Sequence, residues 1–163
     1  MKTTDNRVFV ERLRPTQAEL AARLIKSVIE AIPYYNERAK HEETAKYGSQ
    51  NLLALAQEDP DSVLLALISS EPVGFCLSRY DDGLLWLSWF GVMPSYRRRG
   101  IGKALLDSLA LTAPARRAHK LWCDTRTENI QSATLLANAG FEKICELRNH
   151  WYGQDFYLWQ RPL

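Results

Sequence analysis

Between residues 63 and 92 the apolar positions fall into three runs, 63–69, 73–80 and Leu84–Val92, interrupted by Ser70-Glu71-Pro72 and Asp81-Asp82-Gly83. Both interruptions are turn sequences, so the pattern predicts three strands in an antiparallel meander. Upstream, Val8, Val10 and Leu13 alternate with Phe9, Glu11 and Arg12, with one irregularity, across residues 7–13: a short strand before Pro15. Leu20, Leu24, Ile25, Val28 and Ile32 then recur at helical spacing over residues 17–32, and Pro33 stops them. Residues 36–58 are charged and helix-prone, with Leu52, Leu53, Leu55 and Ala56 as their apolar part, and Asp59-Pro60-Asp61 ends the stretch.

After Pro94 the period is helical through Ala113. Residues 119–125 read as a buried strand, 129–139 as a helix, and 141–148 and 156–160 as strands. The predicted order is βααβββαβαββ, without repeats, low-complexity tracts or a linker. At 163 residues this is one α/β domain spanning 1–163, large enough to bury about two-thirds of the surface its unfolded chain exposes.

A formal net charge of +2 does not describe a nucleic-acid-coating surface, and the few clustered arginines lack an established nucleic-acid fold, so no nucleic-acid partner is expected. Cys76, Cys123 and Cys145 all fall in strand-like apolar stretches without paired spacing, which predicts reduced core cysteines and no disulfide or zinc site. His41, His119 and His150 are scattered and suggest no metal. The reduced cysteines suit a cytoplasmic setting, and with a polar N-terminus and no run of about 18 apolar residues neither a signal peptide nor a membrane span is expected.

The stretch Arg97-Arg98-Arg99-Gly100-Ile101-Gly102 changes the picture, because it opens a helix directly after a strand. The first backbone N–H groups of a helix lack intrahelical partners and carry the positive end of its dipole. Two glycines remove Cβ atoms that would keep a diphosphate away, and arginines add charge at the rim, so the expected guest is a pyrophosphate. A dinucleotide fingerprint would need glycine at Leu105; a P-loop would need glycine at Arg97 and Ser or Thr at Ala104. The strand before it, Leu84–Val92, carries Trp86, Trp89 and Phe90 but no charge, which predicts a central strand buried on both faces. Gly91 near its end marks a bulge or a close approach.

Val92-Met93-Pro94 followed by this arginine-glycine loop resembles the central signature of the GNAT superfamily of acyl-CoA N-acyltransferases. Asn129 opening a helix that Gly140-Phe141 closes is similar to a second element of that family, and the element order matches its fold. The resemblance implies a GNAT-like, mostly antiparallel mixed sheet of about seven strands, splayed at the centre, with helices on both faces. It implies acetyl-CoA as co-substrate, with the backbone of Phe90, Gly91, Val92 and Met93 along the pantetheine arm. The loop Arg97, Arg98, Arg99, Gly100, Ile101, Gly102 and Lys103 would hold the pyrophosphate, and Asn129 would contact the pantetheine or its thiol end. Backbone N–H groups near Gly91 to Met93 would polarise the thioester carbonyl.

The implied activity is N-acetyl transfer to a primary amine of a small molecule, peptide or protein, by direct attack in a ternary complex. Asp124, at the end of the strand over residues 119–125, aligns with a catalytic glutamate of the branch that acetylates ribosomal-protein N-termini and is the candidate base; capping the next turn or pairing with Arg126 is the structural alternative. The family often places an acidic tyrosine where Leu136 stands. Tyr152, then Tyr157, are the substitutes. Cys123 as a covalent nucleophile is disfavoured by its apolar setting. Tyr34, Tyr35, Trp86 and Trp151 are expected to line the acceptor channel, while the opposite parity of Trp86 and Trp89 sends one of them to the core unless a bulge intervenes. Glu37, Glu42 and Glu43 are candidates to attract a cationic acceptor. A non-catalytic acyl-CoA-binding module is the alternative, and a homodimer is left open.

Overall fold

The computed structural model describes residues 7–163; residues 1–6, part of the N-terminal stretch read above as polar, lie outside the described residues. The elements are β1 (Phe9–Arg12), α1 (Ala18–Glu30), α2 (Glu37–Lys46), α3 (Ser49–Glu58), β2 (Val63–Ile68), β3 (Glu71–Asp81), β4 (Leu84–Val92), α4 (Ile101–Thr112), β5 (Lys120–Arg126), α5 (Ile130–Asn138), β6 (Glu142–Leu147) and β7 (Phe156–Pro162). Short 3₁₀ turns occur at Pro15–Gln17, Pro94–Tyr96 and Trp151–Gly153. The stretch over residues 36–58 is two helices rather than one. Tyr47 leaves helical φ/ψ and Gly48 is extended, which lets α3 turn Leu52 into the core against α1 while the polar α2 takes a separate path.

One seven-stranded sheet has the order β1-β2-β3-β4-β5-β7-β6. Every neighbouring pair is antiparallel except β4 and β5. That parallel pairing is short: Leu84, Leu85 and Trp86 align with Lys120, Leu121 and Trp122, after which β4 runs on to Val92 and β5 to Arg126 without pairing. The sheet is therefore splayed at its centre.

Each face carries its own core. On one, α4 and α5 cover Leu85, Leu87, Leu121 and Cys123; on the other, α1 and α3 cover Leu65, Phe75 and Leu77. Ile101, Leu105, Leu106 and Leu109 form one buried stripe on α4. Each such side chain contributes about 1.5–3 kcal/mol of burial, so the N-terminus of α4 is anchored beside the splayed strand ends.

Two expectations are corrected here. Along β4 only Leu85 and Leu87 are fully buried; the outer half borders the gap and is only half-buried, with Phe90 packed on one core and Trp89 on the other. Cys145 lies exposed on the edge strand β6, while Cys76 and Cys123 are buried. The β3–β4 register slips between Leu77↔Trp89 and Ser78↔Leu87, which makes Ser88 the extra residue of a bulge. Gly91 is instead a close approach, where a Cβ would meet the Phe75 ring and Val28 at 2.8 Å.

Candidate active site

The bulge decides what faces what. Beyond it Phe90 and Val92 pack toward α4, like Leu85 and Leu87, whereas Trp89 and Met93 pack toward α1 and α3. Trp86, opposite Arg79 and so in line with Phe75 and Leu77, shares the face of Trp89. Both tryptophans thus look toward the α1–α2 side, and neither is sent to the opposite core.

The backbone follows the same geometry. The Met93 amide donates to the Val73 carbonyl at 2.9 Å, and with Phe75 opposite Gly91 the antiparallel alternation turns the Gly91 and Met93 groups toward β3. The N–H and C=O of Phe90 and Val92 therefore point into the gap, and the Val92 carbonyl is met there by Arg97 Nε at 3.1 Å. Of the four residues expected to offer backbone along this edge, Phe90 and Val92 turn theirs to the gap, with the Val92 carbonyl held by Arg97. Gly91 and Met93 have theirs committed.

At the mouth of α4, Gly100 is the N-cap at φ +76 and its missing Cβ faces open space; Arg98 is also left-handed, at φ +62. The first intrahelical bond runs from Ala104 N–H to Gly100 C=O, so the N–H groups of Ile101, Gly102 and Lys103 are left without helical partners. Gly102 serves a different purpose from Gly100, since a Cβ there would meet Leu135 Cδ2 at 2.7 Å and close the trench between α4 and α5. The Ile101 side chain is buried, the Arg99 guanidinium stacks over Tyr96 at 5.1 Å, and Lys103 pairs with Asp107. Ile101 and Lys103 thus offer the mouth their backbone, and Arg97 and Arg98 line the cleft beside them, whereas Arg99 does not.

Asn129 caps α5, accepting from the Ser132 N–H at 3.1 Å and donating to Ser132 Oγ at 2.8 Å. The far end of that helix closes on Gly140 (φ +84), with Phe141 N–H bonded to Leu136 C=O and Gly140 N–H to Ala137 C=O, a Schellman closure. Leu136 has 0% exposure and belongs to the core.

Across the gap, Asp124 points to the α1–α2 face, opposite in parity to Cys123. It accepts from Trp151 Nε1 at 2.5 Å and pairs neither with Arg126 nor with the following turn. Burial raises its pKa above the usual carboxylate value, against the stabilising bond from Trp151 and the nearby His150. Arg126 is instead spent on the carbonyls of Tyr34 and Asp155 and on Glu128. Burial pushes the Cys123 thiol well above its ordinary value, which keeps it protonated and a poor nucleophile.

Tyr35 stands between Tyr34, Trp89 and Phe156 at ring distances of 5.7, 5.5 and 6.3 Å, and burial raises its phenol pKa. Trp86 packs edge-on against Trp122 at 5.3 Å. Tyr152 sits at φ +56 in the 3₁₀ turn and donates from Oη to Glu43 at 2.6 Å. Glu43, only 8% exposed, also accepts from Trp89 Nε1 at 2.8 Å and Lys46 Nζ at 2.6 Å. Of the three glutamates named from sequence, Glu43 alone becomes part of the site, and neither its partners nor their separations in the chain were legible beforehand. Although burial acts to raise its pKa, the three donors win, and Glu43 stays below its ordinary value.

A single cleft of about 1010 Å³ joins these parts, running from Gly100, Gly102 and Asn129 past Phe90 and Val92 to Asp124, Trp86 and Tyr152. A model of the acetyltransferase (GNAT) family matches residues 23–141. The chain belongs to that family.

Among GNAT relatives, an N-alpha-acetyltransferase of Sulfurisphaera tokodaii is 30% identical over 114 residues, covering 61% of this chain and 68% of that protein. The [ribosomal protein bS18]-alanine N-acetyltransferase of Escherichia coli K12 is 33% identical over 64 residues, 39% of this chain and 43% of the relative, so the match spans less than half of that enzyme. The PaiA N-acetyltransferase of Thermoplasma acidophilum, solved with coenzyme A, superimposes with a TM-score of 0.82 at 17% identity, over 96% of this chain and 99% of that one. The fold is the GNAT fold, and the splayed strands are its cleft.

Proposed function

We propose that this acetyltransferase moves an acetyl group from acetyl-CoA to a primary amine of a small molecule, peptide or protein, by direct attack in a ternary complex. One observation carries the reading: a continuous cleft runs from the helix mouth at Gly100, past the gap-facing backbone of Phe90 and Val92, to Asp124 among aromatic side chains on the opposite face. The N–H groups of Ile101, Gly102 and Lys103, with Arg97 and Arg98, suit a pyrophosphate. The Phe90 and Val92 edge suits the amides of a pantetheine arm, for which Arg97 gives up the Val92 carbonyl.

In this reading an ammonium acceptor yields one proton to Asp124 and becomes the nucleophile. Its nitrogen bonds to the acetyl carbon as the C–S bond breaks, and the pair of electrons leaves on sulfur. The proton the new amide nitrogen sheds balances the one the thiolate takes up. The Val92 N–H, which like that of Phe90 faces the gap, is available to the carbonyl oxygen as charge develops. Tyr152 would have to break its bond to Glu43 to protonate the thiolate, so we assign it to the acceptor wall; a thiol with an ordinary pKa of about 8.5 leaves without a dedicated acid.

Thiol release from acetyl-CoA across a panel of amines and peptides, together with heat protection by coenzyme A, tests this. Turnover with at least one amine and stabilisation by coenzyme A are expected; absence of both overturns it. The burial of Leu136 at the position of the missing acid favours a second reading, an acyl-CoA-binding module without catalysis. Heat protection without turnover on any acceptor selects that one.

A further inference from the structure

Glu43 is an anomaly by burial alone, because glutamate is rarely removed from water unless it is paired. Its partners are not core residues. Trp89 belongs to β4, Tyr152 to the 3₁₀ turn before β7, and Lys46 lies one helical turn along α2, so one carboxylate joins three elements around the acceptor end of the cleft. Tyr152 occupies the left-handed region, which a bulky L-residue enters only when its surroundings hold it there. Two contacts do so: Glu43 takes its hydroxyl, and Asn36 Nδ2 donates to its carbonyl at 3.1 Å. Trp151, the preceding residue in the same turn, is the one that donates its indole N–H to Asp124.

We propose that Glu43 is a positioning residue: by gripping Tyr152 and Trp89 it fixes the Trp151–Gly153 turn, and through the Trp151 indole it sets the orientation and charge environment of Asp124. This rests on the reading of Asp124 as the base, but it is tested without turnover. The titratable groups around Asp124 are His150 and Tyr35 from neighbouring loops, Glu43 with Lys46 from α2, and Cys123 on its own strand. Arg126, two residues along, is occupied by Glu128. The Glu43 charge opposes ionisation of Asp124. Removing it also leaves the Lys46 cation uncompensated, and both changes favour the ionised Asp124.

The Trp151 indole N–H resonance, followed against pH in ¹⁵N-labelled protein, reports whether Asp124 is ionised. His150 stacks on Trp151 at 4.5 Å and is itself titratable, so the measurement is made in an H150Q background. In E43Q the midpoint of the Trp151 titration is expected to move to lower pH, with stabilisation by coenzyme A unchanged. In Y152F, which cuts the grip on the turn while retaining the Glu43 charge, the Trp151 bond to Asp124 loosens, so the amplitude of the titration is expected to shrink and its midpoint to move to higher pH, opposite to E43Q. In E43A the turn is freed and the charge removed together, and kcat/KM falls about tenfold or more, as the part-buried donors of Trp89 and Tyr152 lose their acceptor. A Trp151 titration unmoved in both E43Q and Y152F overturns the proposal, even if E43A fails to fold. If the wild-type protein shows no turnover yet the titration moves as described, the positioning role stands and the catalytic reading falls.

Discussion

Gly100 and Gly102 stand two residues apart in one motif, and their different surroundings make replacing each with alanine a sharp test of the helix mouth. At Gly100 the φ of +76 costs an L-residue about 1–2 kcal/mol. A Cβ there touches nothing within 4 Å, so no packing penalty is added. For a chain of this length such a loss lowers Tm by about 2–8 °C. At Gly102 the new methyl would meet Leu135 Cδ2 at 2.7 Å, but that atom ends a flexible side chain and can move.

The decisive measurement is thermal unfolding of Gly100→Ala with and without coenzyme A. At a ligand concentration of a hundred times Kd, binding stabilises by about 2.7 kcal/mol, and a tenfold weaker Kd leaves about 1.4. The Gly100 Cβ projects into the open space where a phosphate would meet the N–H groups of Ile101 and Gly102, so at least that tenfold loss is expected. The Gly102→Ala defect should instead be relieved by Leu135→Ala, while Gly100→Ala gains nothing from that second change. If Gly100→Ala keeps its full stabilisation by coenzyme A, the helix mouth is not the pyrophosphate cradle, and the proposed alignment of the thioester goes with it.

Asp124→Asn should retain coenzyme A binding and lose most turnover near neutral pH, read as kcat/KM against pH. The same variant should be more stable than wild type at neutral pH: the folded pKa of Asp124 is raised, so wild-type stability falls as pH climbs from the unfolded carboxyl value through the folded one, and asparagine removes that loss. The difference should vanish below the ordinary aspartate value of about 3.9, where both states are protonated. Trp151→Phe removes the donor that favours the ionised Asp124, so the acidic limb of kcat/KM should move to higher pH. Arg126→Ala removes the guanidinium from the carbonyls of Tyr34 and Asp155, which keep Gln154 Nε2 and the Thr127 N–H as donors, and should cost about 1–3 kcal/mol in denaturant unfolding. Leu136→Tyr, which restores the acid the family often carries, should overpack a fully buried site at about 1–3 kcal/mol and bring no gain in kcat.

What was legible in the sequence was local. The arginine-glycine loop, the three-strand meander and the Asn129 to Gly140 helix each declare themselves within one contiguous stretch, because turn chemistry, capping and hydrophobic period act between near neighbours in the chain. The break at Tyr47 and Gly48 was hidden because both halves of the stretch favour helix, and only the demand to bury Leu52 against α1 separates them. The exposure of Cys145 was hidden for a related reason: an apolar strand reads the same at the edge of a sheet as at its centre, and the order β5-β7-β6 alone makes β6 the edge. Glu43 could be named as a candidate, but its bonds reach Trp89 46 positions away and Tyr152 109 positions away, and no periodicity carries that distance.

One extra residue in β4 does more than any of these to set the chemistry. Without the bulge at Ser88, Trp86 and Trp89 would lie on opposite faces, and Phe90 and Val92 would turn their side chains to the α1 side. With it, both indoles face the acceptor half, where Trp89 reaches Glu43, while Phe90 and Val92 keep their side chains in the α4 core. The N–H and C=O groups of those same two residues then open into the gap that β5 leaves by diverging after Trp122. The same irregularity therefore sorts β4 into a backbone edge suited to an extended ligand and an aromatic wall suited to an amine. Deleting Ser88 would join Leu87 directly to Trp89 and keep these facings in a regular ladder, losing only the local bend and twist that the extra residue gives the strand.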